Sequence, residues 1–592
     1  MTYTKDSTTL ADTRNTESKT IDIEKPILLL PEITAEPTVQ EIDKQAPAKM
    51  PSAPTGQQEK PAHTDHNTPM LAGKKSRADI AIELMKKKAS FFHTAENDAY
   101  AEIWRNGHYE VWHTRSQEFE LWLRYLYYIE TGSAMKKPDL VTAIRQAEAM
   151  GLFDGPELEV GLRVARHEGA IHIDLGNDGW EQIQITPEGW RVIQLEESPV
   201  KFRRPKGMLS LPHPMPNGQL DWVKGLLNLE SDGDWCLIAS WLLGAMKPTG
   251  PYPILILQGE QGSAKSTVTK MLRSLLDPST VPNRTLPRTE RDLVISAEAA
   301  RILAYDNVSG IKDLMSDAFC RISTGGGFGT RKLRTDKSEE LFNSIRPMIF
   351  NGISDLTVRH DFADRALIVT LPPIKAENRL PETVIKREWE NIQPYALGSL
   401  CDAVAEALRN YENVTIDKSP RMADFAKWVV AAEPALPWQQ GRFMTEYEKN
   451  RFELIEVAIE SDPISLSVME MMNRMEAPKR WEGAPAALLK VLASYAPGNA
   501  ANKKGWPLAP NIFTNRLRRV QTFLRAKGIE IEKGKSKSGE RFIAIRQLDQ
   551  WAENISRITG DFDFLPEADT HQMAQADEAS VEAEVVMEEG EV

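Results

Sequence analysis

Cysteine is scarce: the 592 residues hold three, Cys236, Cys320 and Cys401, far apart and without Cys-x-x-Cys spacing. That excludes a zinc ribbon and a disulfide framework, and fits a reducing compartment. No apolar run reaches the roughly 18 residues of a membrane span, and no basic stretch followed by an apolar core opens the chain. A soluble, cytoplasmic protein with no membrane contact is expected. His93, His108, His113, His167 and His172 show no ligand spacing. From Gly560 to Val592 positive charge is missing altogether: 11 acidic residues, no Lys or Arg. Taking those 11 charges away brings the net charge from −13 to −2. The positive charge is concentrated instead between Lys503 and Arg546, where 12 basic residues face 3 acidic ones. Segregated charge of this kind marks a candidate nucleic-acid face.

What is present is organised around Ile254 to Thr267, ILILQGEQGSAKST. A short apolar run reads as a buried strand. A glycine-rich turn follows, then Lys-Ser-Thr, then Met271, Leu272, Leu275 and Leu276 at helical spacing. Strand, glycine turn, Lys-Ser and helix are the order that a phosphate-binding P-loop needs, with backbone N–H groups and the helix N-terminus facing the phosphates. The nucleotide-binding residues expected are Gly259, Glu260, Gln261, Gly262, Ser263, Ala264, Lys265, Ser266 and Thr267. Lys265 would reach the β and γ phosphates and Ser266 would place its hydroxyl on Mg²⁺. Ala264 stands where the second glycine of the pattern belongs. Alanine is tolerable there if the residue is already helical, since only a positive φ needs glycine.

Three further motifs follow in order. Arg301-Ile302-Leu303-Ala304-Tyr305-Asp306 is an apolar strand ending in a carboxylate, so Asp306 is the second candidate Mg²⁺ ligand; the next residue, Asn307, cannot act as a base. Ile322 to Asp336 combines a Gly-Gly-Gly turn with Arg331, Lys332 and Arg334, a basic loop or hairpin tip suited to nucleic-acid phosphates. Pro347 to Gly352 is an apolar strand carrying Asn351, which could bond the γ-phosphate or the attacking water. Arg365 precedes another apolar strand and is a candidate arginine finger, with pairing to Asp361 or Asp364 as the structural alternative.

With these motifs in place, Gly259 to Pro373 resembles the ATPase core of superfamily 3 helicases, and most of all their phage- and plasmid-type primase-helicase branch. The resemblance implies an AAA+-like α/β P-loop NTPase domain, assembly into homo-hexameric rings, ATP and Mg²⁺ as cofactors, and ATP-driven movement along DNA in replication. Carried over, Lys265 and Ser266 are Walker A, Asp306 is Walker B, Asn351 is sensor 1, Arg331 and Lys332 belong to a DNA-contacting hairpin, and Arg365 is the finger. Asn307 leaves the water-activating carboxylate unassigned.

Around this core the expected organisation is a disordered arm over 1–75, an α+β module of unassigned role over 76–211, the ATPase core with preceding helices over 212–375, a helical lid or linker over 376–463, a winged-helix domain over 464–547 and an acidic disordered tail over 560–592. In the module, Phe119, Trp122, Leu123, Leu126 and Tyr127 predict an amphipathic helix, Asp174 with Asp178 reads as exposed strand-end carboxylates, and Lys201, Arg203, Arg204 and Lys206 form a small basic patch. In the winged helix, Arg516, Arg518 and Arg519 point outward from the recognition helix and Lys535 and Lys537 lie in the wing, suiting duplex DNA. The expectation is a DNA helicase or translocase of a mobile element, acting on single- and double-stranded DNA with other replication proteins. The alternatives are an ATP-gated DNA-binding initiator without unwinding, and a nucleotide-binding scaffold without turnover. Primase activity is not expected, since 76–211 shows neither a zinc motif nor a catalytic carboxylate set.

Overall fold

The structure, a computed structural model, describes residues 75–331, 339–342, 344–352, 360–498, 506–535 and 539–548. The expected arm, apart from Lys75, and the expected acidic tail lie outside these residues.

Arg77–Lys88 (α1) begins at a capping box: Ser76 Oγ accepts the Asp79 N–H and the Asp79 carboxylate accepts the Ser76 N–H. Ala89–His93 (β1), Ala99–Arg105 (β2) and His108–His113 (β3) form a three-stranded antiparallel sheet, followed by Gln117–Thr131 (α2) and Lys137–Phe153 (α3). The stripe on α2 buries Phe119, Leu123 and Tyr127, which share one core with Met85 of α1 and Ala143 and Ala147 of α3.

Val160–Gly161 (β4) comes next, then Val164–His167 (β5), Ala170–Asp174 (β6), Gln182–Thr186 (β7), Gly189–Ile193 (β8) and Lys201–Phe202 (β9). β5 to β8 form an antiparallel meander. Its Ile171, Ile173, Ile183 and Ile185 belong to the same core as the helices and strands that follow residue 211. Packing therefore does not follow the expected boundary at 211: α1 to α3 with β1 and β2 close one core, and the meander joins the central one. Asp174 is not the exposed strand-end carboxylate expected. It is 1% exposed and paired with Arg204 Nη2 at 2.6 Å. The basic patch is likewise built in, with Lys201 on Glu102 at 2.5 Å, Arg203 Nη2 donating to Glu298 O at 2.6 Å, and Arg204 stacked 3.6 Å over the Trp180 ring.

The central part runs Asp221–Lys224 (α4), Asp232–Ala245 (α5), Ile254–Gln258 (β10), Lys265–Leu276 (α6), Glu290–Ala299 (α7), Leu303–Val308 (β11), Asp313–Thr324 (α8), Phe328–Arg331 (β12), Glu339–Phe342 (β13), Met348–Gly352 (β14), His360–Ala363 (α9) and Ala366–Thr370 (β15). Four of these strands make a parallel sheet in the order β11-β14-β10-β15. Helices cover both faces, which is why the strands read as near-continuous apolar runs. Leu255, Leu257, Ile349, Leu367 and Val369 pack with α5 and α6; Ile254, Ile256, Met348, Phe350 and Ile368 pack with α7 and α8. Glu382–Asn410 (α10) and Ala423–Ala432 (α11) extend the first of these two cores through Trp389, Leu397, Leu400, Val404, Phe425 and Trp428. The sheet edge at β15 is covered by Arg442–Ser461 (α12): Asn450 Nδ2 donates to Ile368 O at 2.6 Å and its Oδ1 accepts the Ile368 N–H at 3.0 Å.

A buried carboxylate ties meander to sheet. Asp277, which caps the end of α6, accepts the N–H groups of Arg301 and Ile302, both at 3.0 Å, and Arg163 Nε at 3.4 Å. Arg163 is fully buried, and its remaining donors go to Asp174 O and Leu209 O.

The C-terminal part has its own core. It comprises Pro463–Arg474 (α13), Arg480–Gly483 (β16), Pro485–Ser494 (α14), Pro510–Ala526 (α15), Ile529–Lys535 (β17) and Arg541–Gln547 (β18), with the strands antiparallel in the order β16-β18-β17. Phe513, Leu517, Val520 and Leu524 supply the buried face of α15 at helical spacing.

Candidate functional site

The glycine turn sits at the C-terminal edge of the parallel sheet, between β10 and α6, where open α/β sheets place ligands. Gly259 has φ +152°, and a Cβ there would lie 2.4 Å from Leu371 O. Gly262 has φ +86°. Ala264 is not helical: it caps α6 in the left-handed region, at φ +65° and ψ 19°. The expectation that alanine would escape the glycine requirement is therefore corrected. This residue carries the conformation that glycine adopts freely, and alanine holds it at a cost of about 1–2 kcal/mol. Lys265 Nζ lies within the turn, donating to Gly259 O at 2.7 Å, Glu260 O at 2.6 Å and Ser263 Oγ at 3.3 Å. Burial holds its pKa below the usual lysine range, against the opposing pull of the Asp306 charge.

Asp306 and Ser266 meet although 40 residues separate them: Ser266 Oγ donates to Asp306 Oδ1 at 2.8 Å. The β11–β14 register breaks between Tyr305 and Val308, so that two residues of β11 oppose one of β14. Such a bulge re-aims side chains, and it leaves Asn307 at φ +53° with its side chain exposed. The Asn307 N–H bonds both Asp306 Oδ1 at 3.0 Å and Asn351 Oδ1 at 3.1 Å. Asn351 is fully buried and also donates to Thr269 Oγ1 at 2.9 Å. Both ends of its amide are thus used on protein groups behind the turn.

Two neighbours of the turn were not legible from motifs. Asn283 Nδ2 donates to Asp306 Oδ2 at 3.3 Å, and its buried Oδ1 has no hydrogen-bond partner. The segment carrying it lies along the outer edge of β11, where the Arg284 N–H donates to Ala304 O at 2.9 Å. Arg379, exposed, lies over the turn: a Cβ on Gly262 would stand 3.0 Å from its Nη2. Neither is marked by a local pattern.

Among the described residues no group of three His, Cys, Asp or Glu side chains could hold a metal. Ser266 and Asp306 instead offer one hydroxyl and one carboxylate, with the unpartnered Asn283 oxygen beside them. Few protein ligands, all oxygen, suit Mg²⁺ that arrives with phosphates and keeps its waters.

Arg365 is not brought to this turn. It precedes β15, and its carbonyl accepts the Ile254 N–H at 2.8 Å, which places it at the opposite, N-terminal edge of the sheet. Asp364 bonds Arg421 Nη1 at 2.8 Å.

β12 and β13 pair antiparallel, with Arg331 opposite Glu339; Lys332 and Arg334 lie outside the described residues. On α15, Arg518 and Arg519 are exposed. Arg516 is not the outward contact expected: its Nε and Nη2 each lie 2.9 Å from Asp462 Oδ2. Asp462 also caps α13, so Arg516 braces the start of that helix. Lys535 is exposed on β17, Lys537 is outside the described residues, and Lys533, whose pKa burial and the Arg518 charge both lower, lies beside α15.

Comparison with known proteins bears on two stretches. Residues 220–439 match the family model of the actinomycete integrative conjugative element replication protein, and residues 464–559 match that of the C-terminal domain of the same replication proteins. These stretches therefore carry the pattern of a replication protein of conjugative elements. No curated protein matches the chain. Among solved structures, an apo form of the NrS-1 C-terminal region aligns over 80% of this chain and 100% of its own at 12% identity and a TM-score of 0.35. The JCV helicase aligns over 40% and 70% at 12% identity and a TM-score of 0.18. TM-scores this low establish no shared fold. Among the described residues, no helix is long and apolar enough to cross a membrane.

Proposed function

We propose that this chain, matched over two stretches to replication proteins of conjugative elements, is an ATP-dependent DNA translocase or helicase. The observation that carries the reading is the Ser266–Asp306 contact at the mouth of a glycine turn that also holds Lys265. In this reading the turn is a P-loop. Lys265 exchanges the Gly259 and Glu260 carbonyls for the β and γ phosphates of ATP, and the turn's N–H groups take the remaining phosphate oxygens. Ser266 and Asp306 hold Mg²⁺, whose charge would neutralise the phosphates and polarise the bond to be broken. Asn283 fixes the second Asp306 oxygen. Asn351 acts as a positioning residue, setting the Asn307 backbone and Thr269. Arg379 is placed to meet phosphate charge from the same chain.

Because Arg365 lies at the far edge of the sheet, it can act on a nucleotide only when a neighbouring subunit supplies that nucleotide, as in a homo-hexameric ring. The C-terminal part is a winged helix that lays α15 on duplex DNA through Arg518 and Arg519, with Lys535 in the wing. Arg331 of β12, with Lys332 and Arg334 next in the sequence, serves the single strand.

The test is ATP turnover with and without single-stranded DNA, together with strand displacement. Lys265→Ala is expected to abolish turnover, and parental turnover in that variant would refute the assignment. One observation favours a second reading, an ATP-gated initiator that binds DNA without unwinding it: the residue after Asp306 is an exposed asparagine and supplies no base. Stimulated turnover without strand displacement would select that reading.

A further inference from the structure

A cavity of about 810 Å³ lies at the edge of the parallel sheet opposite the glycine turn. One wall holds three arginines: Arg301 two residues before β11 and Arg346 two residues before β14 of the central sheet, and Arg203 just after β9, which pairs with β4. Carboxylates line the cavity as well: Glu96, Asp98, Glu157, Glu159, Glu168 and, beside Arg203, Glu298. A five-residue strand spans about 17 Å, so this cavity and the glycine turn are separate sites.

The three arginines are compensated only at a distance, Arg203 by Asp98 and Arg346 by Asp277. Among the described residues none of them has an ion-pair partner. Arg203 donates to Glu298 O; Arg346 donates to Ala297 O at 2.8 Å and Ile345 O at 2.9 Å. Arg301, 3% exposed, donates to Ala245 O, Lys247 O and Tyr252 Oη, and its Nε has no partner. All of these acceptors are neutral oxygens. Burial, then the like charges of Arg301 and Arg203, bring the Arg346 pKa down to about 9. Three guanidinium groups held together against their mutual repulsion are arranged as they would be around an anion, and arginine forks match phosphate oxygens in pairs. The volume is that of a nucleotide-sized ligand, and sites of this kind collect at domain junctions. Two of the lining residues, Ser344 and Arg346, come two and four positions after the end of β13 in the chain.

We infer that this cavity is a second phosphate-binding site, with Arg203, Arg301 and Arg346 as its ligands. The phosphate belongs either to a free nucleotide or to a nucleic-acid strand. The site does not depend on what the glycine turn binds.

The test uses the full chain carrying Lys265→Ala, which removes the turn's own cation; because the turn's N–H groups remain, binding at the cavity is read from its response to Arg346→Met. Pyrophosphate is titrated calorimetrically, with and without Arg346→Met. That substitution keeps the side-chain volume and removes one of three repelling cations, so the fold is retained; circular dichroism checks it. Saturable pyrophosphate binding, weakened tenfold or more by Arg346→Met, is the expected result. No saturable binding in Lys265→Ala, or binding indifferent to Arg346→Met in the folded protein, overturns the inference. A single-stranded 12-mer that competes with pyrophosphate, and whose own affinity falls with Arg346→Met, identifies the strand as the source. Pyrophosphate binding that the 12-mer leaves untouched identifies the free nucleotide.

Discussion

Replacing Asp277 by asparagine changes one buried oxygen and should weaken the central sheet out of proportion. Asp277 takes two backbone N–H groups and the Arg163 guanidinium. Both N–H groups go to Oδ2 and Arg163 Nε to Oδ1, so an asparagine that keeps its oxygen on the two N–H groups turns its amide NH2 on Arg163 Nε, donor against donor. An unsatisfied buried donor costs about 1–3 kcal/mol. Arg163, fully buried, loses its nearest counter-charge, and breaking a buried pair on one side costs about 3–5 kcal/mol. The Asp174 charge, which also stabilises Arg163, offsets part of this, and the net expectation is about 3 kcal/mol. Because the chain has several cores, global unfolding is not one transition. The assay is therefore amide hydrogen exchange over β11, which reports opening of the sheet itself. Exchange should quicken roughly 150-fold, and in an Arg163→Met background the same substitution should cost about 1 kcal/mol, because the stranded charge is gone. A loss below about 1 kcal/mol in the parent, or equal losses in both backgrounds, would refute the role given to this pair.

The other predictions concern the site. Ala264→Val forces a β-branched residue to positive φ and should weaken ATP binding tenfold or more, whereas Ala264→Gly should bind at least as well as the parent; equal affinities in all three would show that the turn does not need its left-handed residue. Arg365→Ala should retain ATP binding and lose turnover by about 10³. Mixing it with Lys265→Ala should restore some activity, and mixed rings that stay inactive would remove the shared-site mechanism. Arg518→Ala with Arg519→Ala should flatten the salt dependence of duplex binding by about two in the logarithmic slope. Arg516→Ala should leave that slope unchanged and lower the stability of the C-terminal part; a slope change with Arg516→Ala would return it to the DNA face.

Much of the glycine turn was legible because its parts are contiguous. An apolar run, Gly-x-x-Gly, Lys-Ser and a helical stripe state their own local geometry, and Lys265 and Ser266 follow from position alone. Asp306 and Asn351 are polar residues that follow apolar runs, which buried parallel strands make conspicuous. Three things depended on the fold. The insertion of β14 between β10 and β11 sets Asn351 behind the turn, with its amide used on Asn307 and Thr269. Asn283 and Arg379 reach the turn through an edge segment and an overlying loop, and their identities in the chain carry no mark of it. Arg516 and Asp174 have sequence contexts that suit exposure, yet each is drawn to a carboxylate or guanidinium far away in the chain. Local propensity and periodicity report on neighbours three or four residues apart. Which charges are buried together, and which donors are left without partners, depends on long-range packing, and only the assembled chain decides it.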